Sequence, residues 1–305
     1  TVLLTVPVTF SITSQLKVDV KPFLMAQILA SNIGGTATLV GDPPNIMIGS
    51  AVGLSFLDFI LNLAAPAIVI FIVTTFILEF LYGKGLHTTP ELQAQVMKLK
   101  PAKQITDASL LKRCLFVLAL TMGLFVAHGA LGLESATAAM FGAGLLLLLT
   151  FTRDEEKIAK VLSKIEWLAI FFFAGLFILV GALVETGVIK MLAAEAMTIT
   201  EGSVEATAIL ILWMSAIASA FVDNIPFVAT MIPLIKDMGA MGIANLDPLW
   251  WSLALGACLG GNGTLIGASA NVVVASLAAQ HGQQISFIGF MKVAFPCMIL
   301  SIIMS

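Results

Sequence analysis

Residues 34–45 read GGTATLVGDPPN, a dozen that holds three glycines, two threonines, an aspartate, two prolines and an asparagine. The apolar run FLMAQILA (23–30) leads into it, and IMIGSAVG (46–53) leads out. The middle has the chemistry of a surface turn, whereas its flanks have the chemistry of lipid. Composition decides which environment holds. Hydrophobic residues make up 59% of the chain and charged residues 11%, with a mean hydropathy of +1.05. A soluble domain carries about 25% charged residues, so this chain cannot clothe itself for water. It reads as an all-α, integral multi-pass membrane protein.

Apolar runs near the length a bilayer requires fall at about 58–82, 109–130, 134–152 and 166–187. A last one starts at about 287 and is cut off by the chain end. Regions 22–54 and 246–280 are equally apolar but are broken by Gly/Asn/Pro clusters. Region 204–238 is two apolar arms around Asp223 and Asn224. A polar linker, 83–108, separates a first part (1–82) from a second (109–305). The net charge of −3 gives no basic face for nucleic acid. Cys114, Cys258 and Cys297 lie in apolar stretches without paired spacing and read as buried thiols. His87, His128 and His281 are scattered, with no metal-ligand spacing; no cofactor is expected beyond a transported or coupling ion.

The chain repeats itself. Adding 226 to residues 34–45 lands without a gap on residues 260–271, GGNGTLIGASAN, with six of twelve positions identical. Pro7 and Pro233 share the offset, and after a short gap SFLDF (55–59) pairs with SFIGF (286–290). On this register Thr1 matches Phe227, so the region from about 109 to 226 lacks its mate, which predicts a fragment of a longer protein.

Lys and Arg set the orientation. Lys84, Lys98, Lys100, Lys103, Lys112 and Arg113 precede one pair of spans, and Arg153, Lys157, Lys160 and Lys164 follow it. If 204–238 enters and leaves on one face, Lys17, Lys21 and Lys292 join these on the inside. Only Lys190 and Lys236 are then outside, along with the acids Glu134, Glu185, Glu195, Glu201 and Glu205. The broken segment 22–54 then runs outward and its mate 246–280 runs inward. Inverted repeats with discontinuous helices are the architecture of many secondary transporters, which bind substrate where the breaks meet.

Backbone that leaves a helix inside a bilayer needs partners from protein or from a water-filled cavity. Pro43 and Pro44 forbid continuation of a helix. A half-helix that starts near Asn45 would aim amides at the cavity, and one that ends near Ser31 would aim carbonyls. Thr36, Thr38 and Asn45, and in the second half Asn262, Thr264, Ser269 and Asn271, suit either a cation or a hydroxyl-bearing solute. Gly49, Gly142 and Gly144 read as helix-packing positions. Asp42 lies inside the first break, where the second half has Ala268. Asp223 sits between two apolar arms. An acid in such surroundings is a functional candidate, able to carry a proton or bind a cation, although Asp223 or Asn224 also suits an N-cap.

The stretches SNIGGTATLVGDPPN (31–45), SAFVDNIPFVATMIP (219–233) and GACLGGNGTLIGASANVV (256–273) resemble the arsenite permease and pink-eyed-dilution P-protein family. That family belongs to the ion transporter superfamily, with NhaD-type Na⁺/H⁺ antiporters and dicarboxylate symporters. The resemblance implies a scaffold and a transport domain with two opposed re-entrant hairpins and two unwound helices, an elevator-like movement and often a homodimer. It places the ion and substrate site at Ser31, Asn32, Gly34, Gly35, Thr36, Thr38, Gly41, Asp42, Pro43, Pro44 and Asn45 in the first half. In the second half it implicates Asp223, Asn224, Gly261, Asn262, Gly263, Thr264, Ser269 and Asn271, with Asp223, Asn224, Asn262 and Thr264 as candidate Na⁺ ligands.

The leading expectation is a secondary transporter in the cell membrane, moving arsenite or a related small inorganic anion against a H⁺ or Na⁺ gradient. A Na⁺/H⁺ antiporter is the alternative. A Na⁺-coupled carboxylate transporter should show a buried Arg or Lys near the breaks, and none is there. An intramembrane aspartyl protease should show Gly-x-Gly before Asp42 and Tyr before Asp223, where Leu39-Val40-Gly41 and Val222 stand. An enzyme is therefore not expected. Candidate partners are the bilayer, the small ion, a second copy and an ATPase.

Overall fold

The computed structural model describes residues 2–98, 105, 107–151, 154–165 and 167–305. Lys100, Lys103 and Arg153 of the charge count, and Thr1 of the repeat register, lie outside the described residues. The described residues form helices and the turns between them, with no strand.

The first group is α1 (Val2–Leu16), α2 (Lys21–Thr36), α3 (Pro43–Val52) and α4 (Phe56–Tyr82). The second is α5 (Pro90–Met97), α6 (Ala108–Leu131), α7 (Ser135–Phe151) and α8 (Glu155–Leu162). Then come α9 (Trp167–Glu185), α10 (Val188–Ile199), α11 (Val204–Phe221) and α12 (Asn224–Ala240). Last are α13 (Asp247–Gly260), α14 (Ser269–Gln280) and α15 (Phe287–Met304). Of these, α4, α6, α9, α11 and α15 are long and apolar enough to cross a membrane. Leu168, Phe171 and Ile178 of α9 stand 86%, 71% and 73% exposed, which in a protein this apolar is a lipid-facing surface. The expected spans recur as helices within two residues wherever their ends are described, although α7, at 17 residues, is shorter than the five long enough to cross.

The breaks are narrower than expected. Only 37–42 and 261–268 leave the helix, so α2 runs on through Gly34 to Thr36, and α3 begins at Pro43 rather than near Asn45. The reason is local: a proline in the first turn of a helix loses no hydrogen bond, because those amides have no intrahelical partner. The linker also carries structure, since Thr89 caps α5 through Leu92 N–H, and Thr88 Oγ1 donates to Leu16 O at 2.8 Å. Helices α8 and α10 were not foreseen.

Contacts fix the sense of each broken helix. Phe10 of α1, next to the start of α2, stacks on His281 at the end of α14, with centroids 4.2 Å apart. Ala51, at the end of α3, accepts from Lys236 Nζ at 2.8 Å, close to where α13 starts. The two broken helices therefore pass each other in opposite directions. Their surroundings are exchanged in the same way: α1 packs on α14 as α12 packs on α3, and α2 on α14 as α3 on α13.

Helices α11 and α13 run parallel. Ser219 Oγ donates to Ala257 O at 2.6 Å, and Thr264 Oγ1 to Ala220 O. Gly256 and Gly260 permit that approach, because a Cβ on either would strike the α11 backbone at Leu212 or Ala216. Helix α12 returns antiparallel, so α11 and α12 form a hairpin with Asp223 at its turn. Helices α6 and α7 are tied to the rest through His128. Its Nε2 accepts from Phe56 N–H at 3.0 Å, which leaves Nδ1 as the protonated nitrogen facing Leu133 O at 2.9 Å.

Candidate functional site

Both breaks are built by one device. At the first, Gly35 and Gly41 meet backbone to backbone, so that a Cβ on either would strike the other's carbonyl. Asn45, the third residue of α3, reaches back and donates from Nδ2 to Thr36 O at 3.1 Å, Thr38 O at 3.0 Å and Gly35 O at 3.4 Å. At the second break Gly261 and Gly267 meet in the same way, and Asn271 Nδ2 donates to Gly261 O at 2.8 Å and Thr264 O at 2.9 Å. Each asparagine satisfies carbonyls that the helix end leaves open and that lipid cannot serve.

Buried side-chain bonds cross between the repeats. Asn32 Nδ2 donates to Asn271 Oδ1 and to Asn262 Oδ1, both at 2.9 Å. Cys258 Sγ donates to Asn45 Oδ1 at 3.4 Å. All of these side chains are buried.

The hairpin tip comes to the same place. Asp223 caps α12 by accepting from Ile225 N–H at 3.0 Å, so its capping role is real. The next residue, Asn224, is buried and donates from Nδ2 to Asp42 Oδ2 at 3.5 Å. Asp42 stands at the N-cap position of α3, yet its side chain makes no capping bond. Its carboxylate is turned instead toward Asn224, with Cys258 and Asp223 beside it. No hydrogen bond joins Asp42 to Asp223 among the described residues.

The structure thus gathers Asn32, Asp42, Asn45, Asn224, Asn262, Thr264 and Asn271 around the two breaks and the tip. Most of these are occupied by the scaffold itself. Asn45 and Asn271 serve as staples, Asn262 Oδ1 is taken by Asn32, and the Thr264 hydroxyl is spent on Ala220 O. Of the four residues put forward for Na⁺, Asp223 and Asn224 lie at the tip and Asn262 and Thr264 at the second break. Ser31 and Thr38 are half-buried, while Gly34, Gly41 and Ser269 are exposed. Gly35, Thr36, Pro44, Gly261 and Gly263 are buried in the wall, and Pro43 is exposed at the first turn of α3. Cys258 and Cys297 are buried free thiols, as the sequence implied, and Cys114 is half-buried; the contact of Cys258 with Asn45 was not foreseen. The repeat register would have found it, since 226 subtracted from 258 gives 32.

A sequence profile described as "Citrate transporter" (CitMHS) matches residues 1–256. An uncharacterized transporter of Mycobacterium tuberculosis is 46% identical over 295 residues, 96% of this chain and 67% of that relative. A 46 kDa membrane protein of Mycobacterium leprae is 42% identical over 304 residues, covering 99% of this chain and 70% of that protein. The P protein of Homo sapiens is 32% identical over 379 aligned positions, covering 99% of this chain and 45% of its own length. With inverted broken helices meeting a hairpin tip, and with these relatives along nearly its whole length, the chain belongs to the citrate transporter family of membrane proteins.

Proposed function

We propose that this protein is a secondary active transporter that binds its coupling cation, a proton or Na⁺, at Asp42. The observation that carries this reading is the convergence of both breaks and the hairpin tip on a single carboxylate that caps nothing. A half-buried acid in apolar surroundings, released from local structural duty, is suited to trade its charge for a proton or a metal cation. The surrounding groups are amides, a thiol and backbone, and these suit a small solute with hydroxyl or oxyanion character. Arsenite or a related inorganic anion remains our leading cargo, with Na⁺/H⁺ exchange as the alternative.

A second reading follows from the family description, which names citrate. Among the described residues no Lys or Arg hydrogen-bonds within the breaks, so a tricarboxylate beside Asp42 would have to enter paired with a cation. The face where α2 starts carries Lys17, Lys21, Lys84 and Lys292, and the opposite face carries Lys236. We read the first face as cytoplasmic, with the linker 83–108 on it, residues 1–82 as part of the first repeat and 109–305 as the second.

Flux into proteoliposomes under an imposed pH or Na⁺ gradient tests the assignment, with arsenite, Na⁺, citrate, and citrate plus a divalent cation offered separately. Asp42→Asn is expected to abolish gradient-driven flux while leaving the protein folded. Full flux in that variant would remove Asp42 from the site.

A further inference from the structure

The staples Asn45 and Asn271 each turn a carboxamide oxygen toward the other repeat. Asn271 Oδ1 is met by Asn32 at 2.9 Å and Asn45 Oδ1 by Cys258 at 3.4 Å. Positions 32 and 258 are themselves 226 apart, so this is one bond made twice across the pseudo-two-fold, once by an amide and once by a thiol. The two donors are not equal. Asn32 has two amide hydrogens and two acceptors, Asn271 and Asn262. Cys258 has one proton, and beyond Asn45 its neighbours include the Asp42 carboxylate. The counterpart of Asp42 in the second break is Ala268, so Asn32 faces no such competitor.

We propose that these cross-repeat bonds couple the two half-sites, with Asn32 as the fixed arm and Cys258 as a positioning residue that responds to the ion at Asp42. This deepens the reading of Asp42 as the cation site and rests on it. An unoccupied carboxylate is a stronger acceptor than a carboxamide and draws the thiol proton from Asn45, which loosens the first break from α13. A proton or Na⁺ on Asp42 removes that pull. The thiol then returns to Asn45 and ties the first break to the second repeat. Loading the ion thereby firms the joint between the halves, and releasing it frees the joint.

Ion-dependent flux of the protein in proteoliposomes reads the coupling. Cys258→Ser keeps one proton in nearly the same place and should hold both KM for the coupling cation and Vmax within about twofold. Cys258→Ala removes the donor and should raise that KM about tenfold with Vmax little changed, the pattern of lost ground-state binding. An unchanged KM in Cys258→Ala overturns the proposal.

A measurement without flux covers the case of a variant that does not fold. With Cys114 and Cys297 replaced by serine, N-ethylmaleimide alkylation of Cys258 should slow about fivefold or more in saturating Na⁺, or at low pH when referenced to free cysteine at the same pH. In Asp42→Asn that ion dependence should vanish. Alkylation indifferent to ions in a transporter that still needs Asp42 refutes the coupling alone. Flux that survives Asp42→Asn refutes the site beneath it.

Discussion

The two breaks share a backbone and differ in chemistry. Asp42 has φ −143° and ψ 140°, and its counterpart Ala268 has φ −149° and ψ 147°. Pro43 and Pro44 follow the first, Ser269 and Ala270 the second, and each pair opens a helix. The glycine pair and the asparagine staple recur in both, so those groups set the geometry. The carboxylate occurs once, as does the thiol. A scaffold built twice and a charge placed once make a site with a direction, since an ion meets different groups on its two sides.

Moving the charge should have the largest effect. Asp42→Ala is expected to lower gradient-driven flux by on the order of 100-fold or more. Adding Ala268→Asp should not restore it, because the Asn224 amide that meets Asp42 lies at the first break. Recovery in the double variant would show the half-sites to be interchangeable and would break the comparison.

The staples come next. Asn271→Leu orphans the carbonyls of Gly261 and Thr264 and strands one of the two amide hydrogens of Asn32. At about 1–3 kcal/mol for each buried group left unpaired, a loss of about 3 kcal/mol is expected in detergent-solubilised protein. Asn45→Leu should cost somewhat less, about 2 kcal/mol, since one of its bonds is long and its partner Cys258 is a weak donor. Thermal unfolding of the two variants side by side gives the order, and a costlier Asn45→Leu would reverse it.

The repeat was legible because twelve gapless positions carry their own register, and the offset led directly to the paired breaks. Asp42 and the hairpin tip were legible too, as acids in apolar surroundings. Two features were hidden. The helix end at Thr36 depends on the carbonyl bonds that Asn45 supplies from seven to ten residues away, beyond the reach of local propensity, whereas the start at Pro43 follows the local proline rule. The part played by Cys258 depends on contact between positions 213 residues apart. Composition showed only a thiol among apolar neighbours.

Glycines at equivalent positions sharpen the comparison further. Gly260 lies against Ala216 of α11, whereas nothing stands within 4 Å of the Cβ that Gly34 lacks. Gly260→Ala should cost about 2 kcal/mol by forcing α11 and α13 apart. Gly34→Ala, in the last turn of α2, should be neutral or stabilising by up to about 0.5 kcal/mol. Melting temperatures that move together would mean that α2 and α13 are packed alike.

The smallest effects lie where α1 and α12 each grip the far half-helix of the other repeat. Phe10 and Lys236 are 226 apart, and both close the end of such a helix, Phe10 by stacking on His281 and Lys236 by donating to Ala51 O. The first contact is dispersive and the second charged. Phe10→Ala should cost about 1 kcal/mol, and Lys236→Gln only about 0.5 kcal/mol, since the ammonium is exposed and its gain comes from the carbonyl end of a helix. Salt separates the two: at 1 M the screening length falls to about 3 Å, so the Lys236→Gln difference should shrink toward zero while the Phe10→Ala difference persists. A Lys236→Gln effect that survives high salt would mean that this grip, too, depends on packing, and that the arms of the two repeats are more alike than their side chains suggest.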